Sequence, residues 1–119
     1  IGYGWAVAAF LLNGAAVLKP DIFPPVSGIH AIGTGAIGVM TLAIMTRATL
    51  GHSGRELRAD IPTVMIFVLV NLAALSRVAT PYLDVDLQSY VTILAALFWS
   101  FAFGAYCLFY GKYLWRPKV

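Results

Sequence analysis

The stretch Gly28–Arg55, GIHAIGTGAIGVMTLAIMTRATLGHSGR, limits the possible folds of this chain more than any other. It is apolar and long enough to cross a bilayer as a helix, because about 20 residues rising about 1.5 Å each span the hydrocarbon core. Yet it holds both histidines of the protein, His30 and His52, together with Arg47 and Arg55. Ionisable side chains are costly to bury in lipid, and where a spanning segment keeps them they mark function.

The rest of the chain has the same character. Of 119 residues, 61% are hydrophobic and 11% are charged. A water-soluble domain carries about 25% charged residues, so the composition predicts an all-α membrane protein. Helices are favoured over barrel strands because the apolar runs are continuous and do not alternate in polarity. Four spans are expected, roughly 1–18, 26–50, 61–83 and 88–112, in one domain covering 1–119. Short connections predict an antiparallel four-helix bundle. Lys19-Pro20-Asp21 and Pro24-Pro25 end the first span, Gly51 to Asp60 separates the second from the third, and Pro81 to Asp86 separates the third from the fourth. Ser53 and Glu56 stand at capping-box spacing, which predicts a short turn starting there. Asp60 is the expected N-cap of the third span, with Pro62 in its first turn. The chain opens on Ile1 inside an apolar run, which predicts a fragment or a processed product.

Charge predicts orientation. Arg55 and Arg58 lie in the 51–60 loop, and Arg47 is close enough to snorkel towards it. Lys112, Arg116 and Lys118 lie in the tail. The positive-inside rule then places that loop and both chain ends in the cytoplasm. Lys19, Asp21, Asp84 and Asp86 fall on the other side, with Arg77 near a helix end. Tyr3, Trp5, Tyr110, Tyr113 and Trp115 are expected to belt the inner interface, and Tyr82 and Tyr90 the outer one. The net charge of +3 has no basic face and excludes a nucleic-acid reader. Cys107 is alone, so there is no disulfide framework and no CxxC site. HExxH, P-loop and CxxCH motifs are absent from the sequence.

His30 and His52 are 22 residues apart, about 33 Å along one helix. They cannot hold the same metal ion within one copy of the chain, so each needs partners from elsewhere. Gly33, Thr34, Ile37 and Gly38 share the face of His30. Such a face, nearly bare of bulk, suits close packing of a neighbouring helix. It equally suits the edge of a porphyrin with His30 as an axial ligand. His52 reads as a solvated residue favoured by the helix dipole, or as a ligand or proton-exchange group. Arg47 and Arg55 are interfacial anchors, or a clamp on an anionic group such as a haem propionate or a lipid phosphate. Asn13 and Asn71 are expected in interhelical hydrogen bonds, and Arg77 in a pair with Asp84 or Asp86. Met40 and Met45 do not share a face and read as core filler.

The segment from His30-Ala31 through Gly35-Ala36-Ile37-Gly38 to Met45-Thr46-Arg47-Ala48-Thr49-Leu50-Gly51-His52-Ser53-Gly54-Arg55 resembles the NnrS family of bacterial membrane proteins. The likeness is specific over about 26 residues, and Ser53 stands where the family's LGHTGR has threonine. It implies the C-terminal third of a protein with about a dozen spans, carrying haem (haem b) and copper, and linked to nitric oxide, nitrosative stress and denitrification. His30 and His52 fall on histidine positions of the motif and are the metal-ligand candidates the resemblance carries over. Gly33, Thr34, Gly38, Arg47 and Arg55 complete the expected cofactor-binding set. Expected partners are membrane lipid and neighbouring transmembrane helices, from a larger protein, another subunit or a second copy. Two other readings stay open: a cofactor-free transporter or channel module, and a structural subunit that scaffolds partner helices.

Overall fold

The computed structural model describes residues 1–115. Arg116 and Lys118, used above to orient the tail, lie outside the described residues. Four helices account for most of the rest, and the described residues contain no strand. Helix α1 is Gly2–Leu18. Helix α2 runs from Pro25 to His52. Helix α3 is Ile61–Ala79, extended by a 3-10 turn over Thr80–Tyr82. Helix α4 is Val85–Trp115. Helix α2, the extended α3 and α4 are long and apolar enough to cross a bilayer. Helix α1, with 17 residues, measures about 25 Å, somewhat less than the hydrocarbon core.

The punctuation works as expected at most boundaries. Pro24 is extended and Pro25 opens α2, where a missing amide hydrogen costs nothing. Asp60 caps α3 by accepting from the Thr63 amide at 3.0 Å, and Pro62 sits in the first turn. Ser53 departs from the expected start of a turn. It closes α2, and its hydroxyl donates back to the Leu50 carbonyl at 3.0 Å.

Inside α2 the seven residues Ala31–Ile37 form a π-helix. The Gly38 amide accordingly reaches back five residues to the Gly33 carbonyl. Nothing in the spacing of apolar residues announces this wider turn. Gly33, Gly35 and Ala36 put little bulk on this segment, and two tryptophans from other helices lie against it and the residue that follows it. A Cβ on Gly35 would meet the Trp5 ring at 2.6 Å, and one on Gly38 would meet the Trp99 ring at 2.5 Å. Between α1 and α2 the touching pairs are Gly2 with Met40, Trp5 with Gly35, and Asn13 with Gly28, rising along one helix while falling along the other.

Trp5 also donates its indole N–H to the Asn71 side-chain oxygen at 2.8 Å, so one residue ties α1 to both α2 and α3. Asn71 returns its own amide to the Phe67 carbonyl. Asn71 is therefore interhelical as expected, whereas Asn13 serves by packing against Gly28. Trp5 and Tyr110, expected in an interfacial belt, take part in interhelical contacts: Trp5 is half-buried and Tyr110 is buried. Arg77 donates to the Thr92 hydroxyl at 3.2 Å, and not to Asp84 or Asp86.

The core joins Val39 and Leu42 of α2, Ile66 and Val70 of α3, and Ala102 and Tyr106 of α4. Phe10, Val17 and Leu108 point outward and are more than 70% exposed. In water such a surface would be a liability, but against lipid it costs nothing. The same fact removes the hydrophobic effect as the force between helices, leaving close packing and hydrogen bonds.

Gly35 and Gly38 are therefore the positions where bulk is least tolerated. Gly35→Leu and Gly38→Leu should each lower stability by roughly 1–3 kcal/mol through overpacking. Gly33→Ala should be neutral or slightly stabilising, since a Cβ there meets nothing within 4 Å. Thermal unfolding in detergent checks the contrast.

Candidate functional site

The chemistry divides between the two ends of α2. At one end His30 is half-buried, directly before the π segment. Its carbonyl accepts from the Thr34 hydroxyl at 2.5 Å. Its imidazole has no hydrogen-bond partner among the described residues. Gly33, one turn on, is exposed and opens onto empty space, whereas Gly38 is covered by Trp99. Of the small residues expected on this face, Gly33 alone remains as a notch. Arg77 approaches from α3, where it lines a cleft of about 370 Å³ with Thr34, Thr92, Trp99 and Ser100.

At the other end the hexapeptide Leu50-Gly51-His52-Ser53-Gly54-Arg55 is a helix stop. Gly54 has φ 73°, the left-handed region that favours glycine. The Arg55 amide donates to the Leu50 carbonyl at 2.9 Å, and the Gly54 amide to the Gly51 carbonyl at 3.2 Å. This pair of bonds is the Schellman arrangement, which satisfies carbonyls left over at a helix C-terminus. The turn delivers Arg55 onto α4, where its guanidinium lies 4.3 Å from the centre of the Tyr113 ring. His52 stays exposed in the last turn.

Below this turn runs a set of tyrosines that the sequence reading did not single out as a unit. Tyr106, Tyr110 and Tyr113 recur at positions i, i+4 and i+7, one face of α4. Tyr106 stacks on Tyr110 at 5.2 Å, and Tyr110 meets Tyr113 edge-on at 6.0 Å. The Tyr106 hydroxyl bonds with Thr49 of α2 at 2.7 Å. Thr63 gives its proton to Asp60 at 2.5 Å, so Tyr110 donates to Thr63. Arg47 does not join this network. With Arg58 it lines a cleft of about 400 Å³ beside Thr46, Thr63 and Tyr110.

His30 and His52 thus lie at opposite ends of one unbroken helix, and the π segment only slightly shortens the separation expected above. Arg47 is 17 positions from His30, roughly 25 Å along the axis, so it and any group held by His30 act at separate places. Among the described residues no three of His, Cys, Asp and Glu stand close enough together to hold a metal ion.

An all-helical chain with three helices apolar enough to cross a bilayer, and with its ionisable groups gathered at the helix ends, has the make-up of a membrane protein. The sequence matches the NnrS protein family over residues 1–118. The chain belongs to that family, which is associated with the response to nitric oxide. No curated protein and no solved structure matches it.

Two changes test the loop end. Gly54→Ala should cost roughly 1–2 kcal/mol, the penalty of a side chain in the left-handed conformation. The second concerns Asp60, whose carboxyl is held below the usual carboxylate range chiefly by the hydrogen bond from the Thr63 hydroxyl. A carboxylate lowered on folding contributes stability that is complete above its unfolded pKa of about 3.9 and lost as pH falls through the folded value. Asp60→Ala should therefore melt lower than the parent protein at pH 7, by roughly 0.5–2 kcal/mol as for other caps. The gap should narrow below about pH 4, as melting curves across pH will show.

Proposed function

We propose that this chain is the haem-holding part of a polytopic bacterial inner membrane protein that responds to nitric oxide, with His30 as the residue that would hold the haem. In this reading the four helices cross the membrane as an antiparallel bundle, with the 53–60 loop and both ends in the cytoplasm. One observation carries it: an imidazole without a partner, half-buried beside the open notch at Gly33.

The fit of haem rests on that donor. A neutral imidazole is a standard axial ligand, and Gly33 leaves its flank clear for a flat group while Thr34 keeps its hydroxyl on the His30 carbonyl. A bound haem would supply an iron able to take nitric oxide. The chain's own residues orient and enclose. Trp5 and Trp99 pack against Gly35 and Gly38, one to two turns beyond His30, and Arg77 brings positive charge to the same end. Any further ligand to it would come from another helix or another subunit. Copper does not fit within the described residues, because no set of three donors meets. His52 is the candidate to share a copper ion with donors on neighbouring helices. Arg47 and Arg55 then act electrostatically at the loop end.

A structural role is the second reading, favoured by the tryptophans seated on Gly35 and Gly38. One experiment separates the two. The purified protein should show a Soret band that His30→Ala removes or shifts and that His52→Ala leaves in place. A colourless protein, or a spectrum unmoved by His30→Ala while Gly35→Leu abolishes assembly, would favour the scaffold.

A further inference from the structure

The cleft beside Arg47 and Arg58 does not stand alone. It shares Ala59 and Thr63 with a second, longer groove of about 510 Å³ that runs along α3. Its α3 wall is formed by Val64, Phe67, Val68, Leu72 and Leu75, with Asn71 among them, and Ile1 before α1 lines it too. These α3 positions recur every three or four residues and so share one helix face. Asp60 marks the start of α3, at the level of the loop, so the groove begins there and descends along the helix for about 16 Å. The polar cleft is at its mouth.

The two parts differ in what they can recognise. In the cleft the hydroxyls are already engaged. Thr46 donates to the Leu42 carbonyl, Tyr110 donates to Thr63, and Thr63 donates to Asp60. The Asp60 carboxylate is taken up by the Thr63 amide and hydroxyl. Arg47 and Arg58 are exposed, and their guanidinium groups have no hydrogen-bond partner among the described residues. Two guanidinium groups facing one space suit a phosphate, which they can grip with paired N–H donors. Positive charge at this level also draws anionic headgroups to the surface. The groove offers apolar contact and little else.

From this continuity we propose that the joined cleft and groove form a binding site for an anionic phospholipid of the leaflet that meets the 53–60 loop. The phosphate sits between Arg47 and Arg58, and one acyl chain lies against Val64, Phe67, Val68 and Leu72. A free anion would use the cleft and leave the groove idle. A partner helix would use the groove and leave two arginines unpaired. A phospholipid in its natural orientation, head at the surface and tail towards the bilayer centre, uses both. The site does not involve His30 and stands independently of the haem reading.

The test uses the purified full chain in detergent, titrated with short-chain phosphatidylglycerol, with short-chain phosphatidylcholine and with inorganic phosphate, binding being read by thermal stabilisation and by native mass spectrometry. Phosphatidylglycerol should bind at least ten-fold more tightly than phosphatidylcholine. The double variant Arg47→Ala/Arg58→Ala should erase that preference, and Arg47→Lys/Arg58→Lys should restore part of it. Val68→Trp, on an outward-facing position 51% exposed, should weaken both lipids alike by narrowing the groove. Lys19→Ala, which removes one positive charge from the other end, should change nothing. Equal binding of the two lipids would overturn the proposal, as would undiminished phosphatidylglycerol binding by a helical double variant. Inorganic phosphate competing as well as the lipid would reassign the cleft to a free anion. A dimer that Val68→Trp dissociates, with no lipid preference, would reassign the groove to a second copy of the chain.

Discussion

The seating of two indole rings on one helix underlies the rest of this structure. Trp5 fills the space over Gly35 and Trp99 the space over Gly38, one contributed by α1 and the other by α4. Between helices in lipid the hydrophobic effect supplies almost nothing, so contact area and directed hydrogen bonds must hold the assembly. An indole against a glycine provides a large flat contact. Trp5 adds a hydrogen bond to a third helix. Those two contacts seat α1 and α4 against the stretch of α2 that follows His30.

The architecture was legible where it rests on one-dimensional signals. Apolar length announced the spans, and proline and aspartate announced their starts: Pro25 opens α2 and Asp60 caps α3 because each acts on backbone within a few residues of itself. What escaped depends on which helices are neighbours. Trp5 and Tyr110 have the composition of interfacial residues, and only the fold turns them inward. Tyr106, Tyr110 and Tyr113 did carry a signal in their i, i+4, i+7 spacing, but so would any apolar face. Ser53 and Glu56 matched a helix start by spacing alone, whereas the glycine at 54 made the same hexapeptide a helix end. The π segment escaped because its seven residues are too few to show a period of their own.

The candidate site was legible in part. That His30 and His52 cannot share one ion follows from their separation, and the unbroken α2 preserves that distance. The surroundings of each histidine could not be read from its own helix. The bare face expected beside His30 is reduced to Gly33 because an indole from the far end of the sequence covers Gly38. Arg47 and Arg55, adjacent in a motif, end in different company: Arg55 lies on Tyr113, and Arg47 opens onto a cleft with Arg58.

The widened turn at Ala31–Ile37 also bears on how this chain lines up with its kin. Bonding five residues back, where an α-helix bonds four back, lets a turn absorb one additional amino acid without altering the helix on either side. A family member shorter by a single residue there could run as plain α-helix and still hold the histidine and the downstream glycines in the same relative places. A one-residue gap in this short window would therefore leave the architecture unchanged. A gap of the same size anywhere from Val39 to Gly51 would rotate the whole arginine-bearing end about the axis.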